Sequence, residues 1–175
     1  MSDLTLIQQG LQHIQHGSGV NSTLNELVQL AVSAAKSEAG SLALMDQERK
    51  TLKITVAIGL PDEYVKGCGE ISLGDQCCGR AALHRKPWIV SDMLSDPLFA
   101  AAREASVKSG IRAAFSVPVI TADGRVLGSL ACHYRKPFTP TAYEIERNHL
   151  FATLIAFALV REGCMVNAQF SGKIA

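Results

Sequence analysis

Two dipeptides carry the residue types that covalent chemistry would need, Cys77-Cys78 and Cys132-His133. A thiol beside an imidazole makes a nucleophile and its base, and a thiol at a helix start is activated by the partial positive charge there. Cys132-His133 cannot be the first. The residues around it alternate as a strand, so neighbouring side chains point to opposite faces and do not meet. Cys77 and Cys78 fit the second, because the alanines after Gln76 predict a helix over 76–85. Free cysteine is also among the most buried residue types, and a small buried hydrophobe is the preferred reading for Cys78 and Cys132. His84 reads as a helix-surface residue, and His149 lies on the stripe Ile145, His149, Ala152, Ala156. No paired carboxylates or phosphate-cradling glycine loop occurs, so no catalytic residue is assigned.

The five cysteines, Cys68, Cys77, Cys78, Cys132 and Cys164, are an odd set without a small-scaffold framework, which points to reduced thiols in the cytoplasm. No CxxC or HxxxH spacing suggests zinc, and adjacent cysteines chelate poorly, so neither a metal nor a cofactor is expected. Seventeen basic residues against sixteen acidic leave a net charge of +1. No basic run or basic-aromatic interleaving would concentrate nucleic acid. The N-terminus, MSDLTLIQQG, has no basic segment followed by an apolar one and does not read as a secretory signal. A membrane span needs ~20 apolar residues, and the richest stretch, 150–160, is about half that. Neither nucleic acid nor a membrane is an expected partner.

The elements that must hold these residues centre on 111–134, IRAAFSVPVITADGRVLGSLACHY. Ala113, Phe115, Val117 and Val119 alternate with Arg112, Ala114, Ser116 and Pro118, and the pattern resumes after Asp123-Gly124, a strong hairpin signal. Both faces of the second strand are apolar or small, which predicts a central strand covered on each side. Upstream, Leu4, Ile7, Leu11 and Ile14 recur at helical spacing. Asn21 or Ser22 can cap a second helix whose apolar face is Leu24, Leu27, Val28, Ala31 and Ala35. Strands follow at 41–45 and 52–56, then a short helix at 62–66 and a short strand at 70–73. The 76–85 helix leads to a strand at 88–90, and Pro97 opens a helix through Lys108. Thr139 or Thr141 caps a last helix, apolar almost all round from 150 to 160, whose outer face needs residues 4–14 or a second copy to cover it. The fold class is α+β, an antiparallel sheet of about six strands with helices on both faces. Residues 1–20 form an N-terminal helix for dimerisation or linkage, 21–163 the domain, and 164–175 a C-terminal tail.

In this order the motifs Leu60-Pro61 with Tyr64, Ile71-x-x-Gly74, Cys78-Gly79-x-Ala81, Val90-x-Asp92 and Asp96-Pro97 resemble a GAF domain. Gly110-Ile111-Arg112-Ala113, Ser116-x-Pro118, Gly124-x-Val126-Leu127-Gly128 and Tyr134-Arg135-x-Pro137 continue the resemblance, which covers roughly residues 22–162. It is nearest to the GAF modules ahead of sensor histidine kinases and diguanylate cyclases. The resemblance implies a small-molecule pocket on one sheet face and terminal helices that pair into a homodimer, with a histidine kinase or diguanylate cyclase as effector. One GAF branch, the free methionine sulfoxide reductases, uses cysteines and is similar at Cys78-Gly79. Its proline-glycine-histidine stretch is replaced here by Asp96-Pro97-Leu98. The cysteine-histidine of bilin-binding members would fall near Ala101-Ala102. Of the cyclic-nucleotide signature only Lys136, Phe138 and Glu144 match, with Arg135 and Tyr143 at the broken positions.

The residues themselves suggest a mostly apolar pocket with few polar groups. Backbone N–H groups of Gln76, Cys77 and Cys78 at a helix start suit nitrate or a carboxylate. Trp88, Phe99 and Phe115 are the candidate walls, and Asp92, Arg112 and Ser116 the candidate polar groups, with Arg112 expected to point outward or pair with an acid and Cys132 sharing the cavity face. His133 is expected on the opposite face, which sets haem aside. The leading reading is a non-enzymatic sensor module. A thiol reductase using Cys78 and a ligand-free dimerisation module are the alternatives.

Overall fold

In the computed structural model, which describes residues 2–17 and 19–163, the expected order of elements is kept. The helices are α1 (Asp3–His16), α2 (Val20–Ala35), α3 (Asp62–Cys68), α4 (Gln76–His84), α5 (Arg103–Ser109) and α6 (Ala142–Arg161). The strands are β1 (Ala39–Asp46), β2 (Thr51–Ile58), β3 (Glu70–Ser72), β4 (Trp88–Val90), β5 (Ala113–Ile120) and β6 (Val126–Tyr134). The expected tail, 164–175, and Cys164 with it lie outside the described residues.

The six strands form one antiparallel sheet in the order β3-β2-β1-β6-β5-β4, so β1 and β6 are central. Seven of the eight residues of β1 and seven of the nine of β6 are buried, as strands covered on both faces must be. Gly124, at φ +86°, makes the β5–β6 turn, closed by the Gly124 N–H to the Thr121 carbonyl at 2.8 Å. On one face α2 and α6 pack as a layer, with α1 outside them; on the other lie α3, α4, α5 and a short 3₁₀ helix, Pro97–Ala102. The single helix expected from Pro97 to Lys108 is therefore two pieces, the 3₁₀ turn and α5.

Helix ends follow their capping chemistry. Thr141 and Glu144 form a capping box, the Thr141 N–H donating to Glu144 Oε2 at 2.7 Å and the Glu144 N–H to Thr141 Oγ1 at 3.3 Å. The start of α2 differs from expectation: Gly19 is the cap, and Asn21 and Ser22 lie inside the helix. The apolar face expected for α2 is buried as read.

The buried stripe of α1 is Leu6, Gly10 and Ile14, not the line Leu4, Ile7, Leu11, Ile14. A Cβ at position 10 would lie 2.7 Å from Leu154 Cδ1 and 3.2 Å from Leu27 Cδ2, so α1 touches α6 and α2 through a glycine. Leu4 and Leu11 turn outward. They join Tyr143, Leu150, Phe157 and Val160 of α6 as exposed apolar residues, three of which recur every seven positions. At its start α1 is tied by the ion pair of Asp3 with Arg147 at 2.9 Å and by the Tyr143 hydroxyl donating to Asp3 Oδ2 at 3.0 Å. Among the described residues no helix is long and apolar enough to cross a membrane.

Candidate functional site

Cross-strand register assigns every central side chain to a face, because directly paired residues point the same way. Toward α2 and α6 run the rows Gly40, Cys132, Phe115, Ile89 and then Leu42, Leu130, Val117. Toward α4 run the rows Ala39, His133, Ala114, Val90; then Ser41, Ala131, Ser116, Trp88; then Ala43, Ser129, Pro118. The α4 side is a floor of small and polar residues, and Ser41, Ser116, Ser129 and His133 on it are all buried.

This placement reverses one expectation. Phe115 and Cys132 pack with Ala35, Ala113 and Tyr134 under the α2–α6 layer, where Asn148 Nδ2 reaches Cys132 Sγ at 3.1 Å. His133 faces the α4 side, with Nε2 2.9 Å from Ser41 Oγ and the Tyr64 ring edge-on at 5.5 Å. The alternation itself was legible. Which face belonged to which layer was not, because Phe115 goes to the thicker layer while close approach of α4 demands small residues beneath it.

Gly79 lets α4 press against the edge strand β3, where a Cβ would stand 2.1 Å from the Ser72 carbonyl oxygen. With α4 lowered onto the sheet, Cys77 Sγ donates to the Trp88 carbonyl at 3.3 Å and Cys78 Sγ lies 3.4 Å from Ser116 Oγ. Gln76 opens the helix at φ +50°, a left-handed conformation that costs a non-glycine residue about 1–2 kcal/mol. It is held there by its own Nε2 donating to the Cys68 carbonyl at 3.2 Å and by Arg80 Nε donating to the Gln76 carbonyl.

Burial pushes the Cys68 and Cys77 thiols up to about 12, the Cys132 thiol to about 11, and the Cys78 thiol upward as well. Desolvation thus outweighs the helix-start field that would have activated Cys77 and Cys78. The same desolvation pushes His133 down to about 4, so its imidazole is neutral at physiological pH. Among the described residues no group of three or more His, Cys, Asp and Glu is arranged to hold a metal ion.

The roof is locked by an ion pair that sequence reading missed. Arg80 Nη1 and Nη2 donate to Asp96 Oδ2 and Oδ1 at 2.8 and 3.0 Å, with side chains only 5% and 17% exposed. Asp96 also caps the 3₁₀ helix through the Leu98 N–H at 2.9 Å, so one carboxylate joins α4 to that turn. The available signal was an arginine inside the otherwise small, apolar run of α4. Phe99 and Met93 are buried in the core beneath this roof, together with Tyr64, Cys68, Cys77 and Cys78. Trp88 is half-buried at the rim, stacked on His84 at 4.8 Å with the Arg80 and Lys86 cations over its ring. Asp92 is committed elsewhere: Arg112 donates to both its oxygens, at 3.1 and 2.6 Å, and the Leu94 N–H donates to Oδ1. The Arg112 guanidinium holds its carboxyl below the usual carboxylate range.

Of the nine candidate binding residues, Gln76, Cys77, Cys78, Trp88, Phe99 and Ser116 thus gather on the α4 side, Asp92 sits beside it in its own ion pair, and Phe115 and Cys132 lie across the sheet.

Comparison with known proteins gives a consistent fold. The profile of the GAF domain matches residues 20–159. A methyl sulfide methyltransferase-associated sensor of Methanosarcina acetivorans is 27% identical over 151 residues, 85% of this chain. The chain spans only 15% of the length of that relative. The GAF domain of a phosphoenolpyruvate-protein phosphotransferase from Coxiella burnetii superposes with a TM-score of 0.78 at 18% identity, over 93% of this chain and 95% of that one. Free methionine-R-sulfoxide reductase from Neisseria meningitidis, solved with its substrate, superposes at 0.75 and 17% identity, over 94% and 92%.

Proposed function

The chain belongs to the GAF domain family, and from that membership we propose that it is a sensing module of signal transduction. It binds a small molecule between α4 and the small-residue face of the sheet. One observation carries this reading: on the α4-side floor, which the close approach of α4 keeps small, three serines and a histidine are buried where apolar residues of like size would pack as well. Gln76, Cys77, Cys78, Trp88, Phe99 and Ser116 border the ligand, and the segment 91–102, held down by Arg80–Asp96, opens to admit it. The Methanosarcina relative, itself a sensor, is in keeping with this.

Opening of that segment shifts the sheet against the α1–α2–α6 layer, a two-state change that a ligand drives only through unequal affinity for the two states. The exposed line Tyr143, Leu150 and Phe157, with Leu4 and Leu11, supports pairing with a second copy, through which the change reaches an effector such as a histidine kinase or diguanylate cyclase. Thiol catalysis has less support. Burial pushes the Cys78 thiol up, as it does its neighbours Cys68 and Cys77, which disfavours the thiolate that a reductase would need, whatever the fold shares with the Neisseria reductase.

A thermal-shift and calorimetric screen of nitrate, carboxylates, amino acids, nucleotides and simple amides tests the reading. A saturable rise in Tm with at least one compound is expected. A flat response throughout, with a monomer at all concentrations in analytical ultracentrifugation, rejects it.

A further inference from the structure

One atom of the α4-side floor is orphaned. Nδ1 of His133 has no hydrogen-bond partner, although the residue is only 3% exposed. The other ring nitrogen, Nε2, meets Ser41 Oγ at 2.9 Å, and in either tautomer Nδ1 presents an N–H or a lone pair with nothing to receive it. The Tyr64 ring stands against the same imidazole, and its hydroxyl, also enclosed, meets only sulfur, Met93 Sδ at 3.9 Å and the Cys68 thiol. Buried polar groups in a finished core are normally paired, and a pair of adjacent under-satisfied ones calls for a missing partner.

We propose that His133 Nδ1 and the Tyr64 hydroxyl are the recognition point for the ligand, and that this ligand is a small uncharged molecule carrying an oxygen acceptor, of amide or alcohol type, on an apolar body. The proposal rests on the sensing role argued above and specifies its chemistry. Tyr64 supplies an O–H that is under-used against sulfur, so the incoming atom is an acceptor. An amide answers both groups at once, with its oxygen toward Tyr64 and its N–H or oxygen toward Nδ1.

The absence of net charge follows from the neighbours. Arg80 and Arg112 are each neutralised by a bidentate carboxylate, Asp96 and Asp92, and Arg103 is turned to the Asp96 carbonyl at 3.0 Å. Burial keeps the imidazole and the thiols neutral. An anion placed here would therefore be buried without a counter-charge, which folded proteins avoid. Ala43, Ala114, Ala131 and Ser116 leave the floor low beneath an apolar body that seats beside the Tyr64 ring once the segment 91–102 opens.

The test is an NMR titration of the full chain, ¹⁵N-labelled on histidine rings and backbone, at pH 7.5, with N-methylacetamide and 1-butanol as neutral probes and nitrate and acetate as anionic ones. The expected result is a saturable shift of the His133 ring nitrogens with a neutral probe, at least tenfold stronger apparent binding than either anion, and loss of that binding in His133→Leu. Thermal melts of His133→Leu establish that it folds, and the wild-type titration stands alone should it not. If an anion saturates and moves the α4 amides while the His133 ring stays still, the neutral-ligand inference falls and the sensing role stands. If no probe binds and His133 Nδ1 shows only exchange contacts with water, a trapped water satisfies the ring and both readings fall.

Discussion

The two faces of one sheet are filled on opposite plans. Toward α2 and α6 the central rows carry Phe115, Leu42, Leu130 and Val117, all fully buried and packed against Leu27, Ile155 and their neighbours or against Tyr134. Toward α4 the rows directly behind them carry Ala114, Ala131, Ser41, Ser116, Ser129 and His133. The same three strands, β1, β5 and β6, therefore build a cohesive core on one side and a low, hydrogen-bonding floor on the other. Apolar area stabilises the first at about 25 cal/mol per Å². The second face adds specific contacts to the apolar packing of Tyr64, Met93 and Phe99 above it: thiol to carbonyl, imidazole to hydroxyl, guanidinium to carboxylate. Its floor itself offers little apolar area, so the sheet has less cohesion to lose there when the layer above opens.

The largest expected effect lies on the cohesive face. Phe115→Ala removes a fully buried ring that stacks on Tyr134 at 6.3 Å between centroids. It should lower the free energy of unfolding in urea by about 3–5 kcal/mol. A loss below about 1 kcal/mol would mean that this layer is as loosely packed as the other, and the contrast between the faces would fail. Next comes the lock on the α4 face. Asp96→Asn leaves Arg80 buried without a counter-charge and should cost about 3 kcal/mol. Proteolysis within 91–102 should become faster in this variant, since the same carboxylate anchors that turn; unchanged cleavage would free the segment from the Arg80 latch.

What the chain disclosed before folding was uneven for physical reasons. Period-two alternation, Asp123-Gly124 and a threonine cap at 139 or 141 are local signals, and they placed the hairpin, the strand order within it and the last helix. Face assignment is not local. Both sides of β6 are small, so only the thickness of the layers above and below could decide where Phe115 and His133 point. Gly10 hid the contact stripe of α1 because a glycine adds nothing to a hydrophobic pattern while permitting the closest approach. The Arg80–Asp96 lock spans sixteen positions and a change of element, so no window along the sequence contained it. The family motifs still marked its ends, Cys78-Gly79 and Asp96-Pro97, without saying that they join.

A pH comparison sharpens the polar character of the α4 face. His133 is pushed down to about 4 by burial, from an ordinary value near 6.5. Between those values the unfolded chain takes up a proton that the folded chain refuses. Stability from this group is thus intact above about pH 7, declines as pH falls from 6.5 toward 4, and is fully lost below. Integrated, the loss is about 3 kcal/mol. Carboxylates titrate in the same range, so the quantity to measure is wild type minus His133→Leu in urea melts at each pH. That difference should run against wild type as pH falls from 7 to 4. A flat difference would mean that His133 is already paired or reached by solvent.

The smallest effect discriminates most finely. Ser116→Ala removes a hydroxyl whose side-chain neighbour is Cys78 Sγ, 3.4 Å away and a weak partner. Thiols satisfy hydroxyls poorly, so trimming one partner leaves little unpaid desolvation, and the change in stability should stay below about 0.5–1 kcal/mol. Val117→Ala, one residue along the same strand but on the other face, deletes two methyl groups from the cohesive layer and should cost about 2 kcal/mol. The ratio of the two is the measure of the contrast, because both substitutions leave the backbone and β-pairing of β5 alike. If Ser116→Ala costs as much as Val117→Ala, the serines of the floor are structural and their polarity supports the α4 contact. If it costs little and at the same time weakens binding of a probe that moves the His133 ring, the hydroxyl is kept on the floor for the occupant rather than for the fold.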